Sequence, residues 1–124
     1  MFDHVSFEVR DLEKSKVFFE KALAPLGVKL VMDLKEYGAA GFGKDRPQFW
    51  LGQGEPRAQE NEIHVCFSAN NRAEVKSFYD AAIAAGGKDN GKPGLRPEYH
   101  QDYYAAFVFD LDGHNIEVSS RRPE

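Results

Sequence analysis

His64-Val65-Cys66-Phe67-Ser68 repeats, 60 residues further on, the opening of the chain, His4-Val5-Ser6-Phe7-Glu8. The match continues without gaps: Lys16 falls on Lys76, Phe18 on Phe78, Ala22 on Ala82, Ala24 on Ala84 and Gly27 on Gly87. Phe19 with Tyr79, Glu20 with Asp80 and Leu23 with Ile83 are conservative pairs. An ungapped match across a strand pattern, a helix pattern and a stop signal reads as an internal duplication. A unit of about 60 residues buries too little surface to be comfortable alone, so the two copies must share a core.

Each copy begins with period-2 alternation, the mark of a strand with one apolar and one polar face. The first strand is expected over Phe2 to Val9, followed by a helix capped by Asp11, with Phe18, Phe19, Ala22, Leu23 and Leu26 at helical spacing. Strands are expected over Val28 to Asp33, Glu36 to Phe42 and Gln48 to Gly52. The second copy gives a helix over Arg72 to Ala85 and a strand over Lys88 to Lys92. A polar loop follows from Pro93 to Asp102, then strands over Tyr103 to Phe109 and His114 to Ser119, joined by an Asp112-Gly113 turn. The expectation is an α+β fold: two βαβββ modules, about 1–53 and 61–120 with a linker over 54–60, in one domain covering 1–124.

At 42% hydrophobic and 29% charged residues, the chain has the balance of a soluble globular domain. It shows neither an apolar run long enough to cross a membrane nor a secretory leader pattern at its start, so a cytoplasmic protein is expected. The single cysteine, Cys66, precludes an internal disulfide. With a formal net charge of -4 and interspersed signs, the basic stripe of a nucleic-acid binder is missing, and Arg121-Arg122 reads as a solvated tail.

Strand parity decides which side chains can meet. If Val5, Phe7 and Val9 take the helix, His4, Ser6 and Glu8 face the other way; likewise His64, Cys66 and Ser68, and in the last strand Asn115, Glu117 and Ser119. Two histidines and one carboxylate around a cavity suit an octahedral first-row divalent ion with positions left for water or substrate. His4, His64 and Glu117 are therefore the expected metal ligands. In the 93–102 loop and just after it, Arg96 is a candidate to bind a substrate carboxylate or phosphate, and Tyr99, His100 and Tyr103 are candidate acid–base residues. Cys66 and Trp50 are candidate substrate contacts, Trp50 as a stacking wall, whereas His114 reads as a turn residue.

The paired openings His4-Val5-Ser6-Phe7 and His64-Val65-Cys66-Phe67, together with the ending Asp110-Leu111-Asp112-Gly113-His114-Asn115-Ile116-Glu117-Val118, resemble the vicinal oxygen chelate superfamily. That group contains glyoxalase I, extradiol dioxygenases and the bleomycin- and fosfomycin-resistance proteins. The resemblance covers essentially the whole chain. It implies a cupped, partly open mixed sheet with helices outside, often completed by a homodimer, and ligands at the positions of His4, His64 and Glu117. The chain departs from glyoxalase I where the counterpart of Glu117 is Trp50, which cannot bind a metal, so lactoylglutathione lyase activity is disfavoured. Two readings remain. One is a metalloprotein using iron, manganese, nickel or zinc for lyase, isomerase or dioxygenase chemistry on a small molecule with adjacent oxygens. The other is a metal-free, antibiotic-like binding protein on the same fold.

Overall fold

The computed structural model describes residues 1–56 and 62–124; most of the expected linker, at 57–61, lies outside the described residues. The elements run β1 (Val5–Val9), α1 (Leu12–Leu23), β2 (Lys29–Leu34), β3 (Ala39–Gly43), β4 (Phe49–Gln53), β5 (His64–Ser68), α2 (Arg72–Ala84), β6 (Lys88–Leu95), β7 (Tyr104–Phe109) and β8 (Asn115–Ser120). They form two four-stranded sheets, ordered β1-β4-β3-β2 and β5-β8-β7-β6. In each sheet the first strand pairs parallel to the fourth while the other pairings are antiparallel, so both modules are mixed βαβββ units.

Both helices are capped by the residue before them. Asp11 Oδ1 accepts from Lys14 N at 3.1 Å, and Asn71 Oδ1 accepts from Glu74 N at 2.9 Å. The Glu74 carboxylate returns to Asn70 N at 2.9 Å, one residue before the expected capping-box position. Lys16, only 8% exposed, joins α1 to β2 by meeting Asp33 at 3.1 Å and Glu13 at 2.9 Å. Its repeat counterpart Lys76 instead lies 6.0 Å from the centre of the Tyr104 ring.

Three boundaries differ from the sequence reading by three residues: β1 starts at Val5 and not at Phe2, β3 at Ala39 and not at Glu36, and β6 ends at Leu95 and not at Lys92. Glu36 does not start β3; Lys35–Tyr37 is a single tight 3-10 turn closed by Gly38 N on Lys35 O at 3.0 Å. Strand β6 continues through Pro93 to Leu95, with register shifts beside Gly91 and Gly94. It lies at the sheet edge, where proline's missing N–H removes no ladder hydrogen bond. The loop is therefore shorter, and it is closed by Arg96 N donating to Tyr103 O at 2.7 Å.

One core serves both copies. Phe18, Phe19 and Leu23 of α1, Val75, Phe78 and Ala82 of α2, Phe42, Phe49 and Leu51 of the first sheet, and Val108, Ile116 and Val118 of the second belong to a single buried cluster. Phe7 stacks on His114 with ring centres 3.9 Å apart, and Phe49 meets Phe67 edge-on at 5.1 Å, so the modules interlock through aromatic rings. Because both helix-facing sides turn toward this core, the helix-free faces turn away from each other.

The turn between β7 and β8 is pinned from inside. Asp110 Oδ1 accepts from Asp112 N at 3.0 Å and His114 N at 2.8 Å, while Oδ2 meets His114 Nδ1 at 2.8 Å. Asp110→Ala strands these buried donors, and we expect a loss of about 3 kcal/mol in unfolding free energy. Urea melts should show a lower midpoint at unchanged slope.

Candidate functional site

Strand parity holds on the helix-free face of the second sheet. Glu117 pairs in register with Cys66 on one side and Phe107 on the other, and it is only 3% exposed. Both of its oxygens are engaged: Oε1 meets His64 Nε2 at 2.8 Å, and Oε2 accepts from Tyr103 Oη at 2.5 Å. The His64 ring is half open to solvent, with 47% of its side chain exposed. The arrangement is a buried carboxylate, held from below by a phenol, whose remaining oxygen faces an accessible imidazole.

Tyr103 thereby acquires a particular chemistry. Burial, then its hydrogen bond to Glu117, pushes the phenol up to about 12, so at neutral pH it is a donor and not a base. The folded state holds this proton more tightly than an ordinary tyrosine with a value of 10.0. Its stabilising contribution is complete below about pH 10 and lost as pH rises toward 12.

Cys66 points to the same face, with Sγ 3.3 Å from Ser119 Oγ. The residue keeps exposed surface, yet its sulfur is desolvated; burial, reinforced by Glu117 and opposed by Ser119, pushes the thiol up to about 11. Relative to a free thiol, Cys66 should react with iodoacetamide about a hundredfold more slowly at pH 8. Mass spectrometry of timed samples, native against urea-unfolded, measures the ratio.

The other expected residues are dispersed. His4 sits at the end of the first sheet's helix-free face, where its Nδ1 lies 2.8 Å from Asp3 Oδ1. An open groove of about 450 Å³ there is lined by His4, Ser6, Glu8, Ala39, Trp50 and Gly52. Trp50 lies flat across β3: a side chain at Gly41 would approach its ring to 3.0 Å. One chain thus brings His64 and Glu117 together but does not bring His4 to them. Tyr99 is 64% exposed and touches Tyr103 edge-on at 5.3 Å. His100 Nδ1 accepts from Asp102 N at 3.0 Å, which gives the imidazole a local turn contact. Arg96 lies on the site face, its guanidinium carbon 5.5 Å from the centre of the Phe107 ring.

Among the described residues, one group of three ligating side chains has its donor atoms within 4.8 Å of one another: Asp110, Asp112 and His114. Its oxygens already serve the turn, and Asp112 Oδ1 also accepts from Arg10 N and NH1, both at 3.2 Å. The geometry is that of a turn device tying β1 to the β7–β8 turn. The sequence reading missed Arg121, whose guanidinium lies 4.9 Å from the centre of the Tyr103 ring. Extending the parity of Glu117 and Ser119 by one more step would have placed it on the site face.

The two βαβββ modules thus present a histidine and a carboxylate on adjacent strands, His64 of β5 and Glu117 of β8. The sequence matches the model of the Glyoxalase/Bleomycin resistance protein/Dioxygenase superfamily over residues 1–118, and the chain belongs to that superfamily. A glyoxalase/bleomycin resistance protein from Albidiferax ferrireducens T118 is similar over 98% of this chain and 99% of its own, at 29% identity and a TM-score of 0.81. The fosfomycin resistance protein FosX from Mesorhizobium loti shares the fold at 20% identity, with a TM-score of 0.72 over 97% of this chain and 91% of its own. FosX from Listeria monocytogenes, as its E126Q mutant, does so at 16% identity and a TM-score of 0.72, over 96% of this chain and 88% of its own. No curated protein sequence matches this one. No helix among the described residues is long and apolar enough to cross a membrane.

Proposed function

We propose that the helix-free face of the second sheet is a small-molecule site built on a divalent metal, held by His64 and Glu117 of one chain and His4 of a second copy. The observation that carries this is the 2.8 Å separation of His64 Nε2 from Glu117 Oε1. Metal–ligand distances of about 2.0–2.2 Å at a right angle put neighbouring donor atoms roughly 3 Å apart, so the two atoms already have the spacing of adjacent ligands. The phenol of Tyr103 fixes the far oxygen of Glu117 and leaves the near one for the ion. Bound there, the metal supplies Lewis-acid polarisation of a substrate presenting adjacent oxygens, the shared element of lyase, isomerase and dioxygenase chemistry.

Geometry as well as family supports a homodimer. Strands β1 and β5 are edge strands, each paired on one side only. A groove of about 660 Å³ beside them is lined by Phe2, Val5, Phe49, Val65 and Phe67 together with polar residues that include Lys44, Gln48 and His64. Met1 and Phe2 stand out as fully and 73% exposed apolar side chains. A second copy laid along these edges would cover them and bring a His4 toward a His64–Glu117 pair. The Mn(II) and 1S,2S-dihydroxypropylphosphonic acid bound by Listeria FosX support a metal-dependent reading on this fold. A single free thiol suits a reducing cytoplasm.

Elemental analysis of protein purified without chelators, with calorimetric titration of Mn(II), Fe(II), Ni(II) and Zn(II), tests the proposal. Near-stoichiometric binding is expected; less than about a tenth of an equivalent and no heat of binding sinks it. One observation favours the metal-free alternative: Glu8 beside Trp50 makes no hydrogen bond among the described residues, so that groove could hold a planar cation. Quenching of Trp50 by such a ligand, unchanged by EDTA, would support that alternative.

A further inference from the structure

The face around Glu117 carries two cations, Arg96 and Arg121, that find no carboxylate among the described residues. Arg10 meets Asp112 and Glu55, Arg46 meets Asp3, and Arg72 approaches Asp102 at 3.7 Å. Arg96 and Arg121 meet no carboxylate among the described residues; each lies over an aromatic ring on the site face, Phe107 and Tyr103 respectively. Both rings adjoin the metal pair, since Phe107 is in register with Glu117 and 6.1 Å from the His64 ring, and Tyr103 hydrogen-bonds Glu117.

Arg96 occupies a cradle made for it. Its Nη2 donates to Lys92 O at 2.9 Å and its Nη1 to Leu95 O at 3.5 Å, which turns the guanidinium back along β6. Side chains at Gly91 or Gly94 would crowd it, with an added Cβ 3.3 Å from NH2 or 3.2 Å from NH1. On the other side of Tyr103, Arg121 follows β8 and covers the phenol ring. Glu117 forms an ion pair with neither, its oxygens meeting Tyr103 Oη and His64 Nε2. Stacking leaves a guanidinium's N–H edge available for a planar or tetrahedral oxyanion. Two such cations are concentrated on one face of a chain with net charge -4.

We propose that Arg96 and Arg121 are anion-recognition residues, so that the small molecule taken by this face carries a carboxylate, phosphonate or phosphate group beside the oxygens that approach His64 and Glu117. This rests on the proposed small-molecule site but not on metal binding. The anionic group anchors the substrate beside the Phe107 and Tyr103 rings, and Arg96 and Arg121 act as specificity residues.

The test is titration of 15N-labelled protein in EDTA with methylphosphonate, acetate and tetramethylammonium, following the arginine Nε–Hε signals. Methylphosphonate or acetate should give saturable shifts, and the stronger of the two identifies a tetrahedral or a planar group. Arg96→Gln or Arg121→Gln should weaken that binding about tenfold, and Arg96→Lys, which keeps the charge but not the fork, should weaken it as well. Arg122→Gln should change nothing, because Arg122 lies one residue out of the parity shared by Glu117, Ser119 and Arg121, where its Nη1 donates to Asn70 O. Non-saturating shifts for both anions, equal binding of tetramethylammonium, or an unweakened double variant with a wild-type melting point overturns the proposal. Mn(II) titration separates the two readings: His64→Ala should abolish metal binding while leaving the anion response, and the arginine variants should do the reverse.

Discussion

Glu117→Gln should reduce Mn(II) affinity by about a hundredfold or more while leaving a folded protein. Changing an outer-shell partner of a metal ligand costs about 10–100-fold in affinity, and the loss of a charged ligand costs at least the upper part of that range. The amide keeps the shape of the side chain and one acceptor oxygen, so Tyr103 or His64 retains a partner; the stability cost should be about 1–2 kcal/mol. Glu117→Ala is the harsher change, because it opens a void and leaves the buried phenol unsatisfied. His64→Ala should abolish metal binding with little change in melting temperature, since 47% of that side chain is exposed. The metal-free reading forecasts the opposite: both variants would bind the organic ligand as the wild type does, and EDTA would have no effect. Calorimetry on the three variants, with circular dichroism melts beside it, therefore decides between the readings. It also separates loss of a ligand from loss of the fold.

The sequence carried the architecture because the information needed was local and repeated. A 60-residue offset that superimposes His4 on His64 and Phe18 on Phe78 dictates two equal modules, and period-2 parity alone places Glu117 and Cys66 on one face of the second sheet. What was not legible depended on non-local partners. Tyr103 could be listed among acid–base candidates, but that it donates to Glu117 depends on its position beside β8, which fixes it as a donor. Strand β6 is cut short in the sequence because Pro93 and Gly94 read as loop, and only the sheet order shows that they occupy an edge. Arg121 looked like a tail residue because nothing nearby in sequence gives it a partner; the Tyr103 ring that receives it is 18 residues away. The separation of His4 from Glu117 is likewise a property of how the modules pack. Parity states which face a residue occupies, but not which faces meet.

That last distinction yields the sharpest prediction about assembly. If His4 belongs to the site of a second copy, chains carrying His4→Ala and chains carrying His64→Ala should each lose tight metal binding, and mixing them should restore part of it. In a heterodimer of the two, one site combines both defects while the other receives an intact His4 from one chain and an intact His64–Glu117 pair from its partner. Random exchange makes half of the dimers mixed, so about a quarter of all sites should regain wild-type affinity, read as a high-affinity fraction in calorimetry. A site completed within one chain gives no recovery at any mixing ratio. The geometry favours exchange: both helix-facing sides share one core, so the faces of His4 and Glu117 diverge within the chain, while edge strands β1 and β5 and the apolar Met1 and Phe2 remain to be covered. Phe2→Glu puts a charge on that surface and should shift the protein toward monomer in analytical ultracentrifugation. Metal affinity should then fall in proportion to the dimer lost, although neither Phe2 nor any residue beside it in sequence is a ligand in this arrangement.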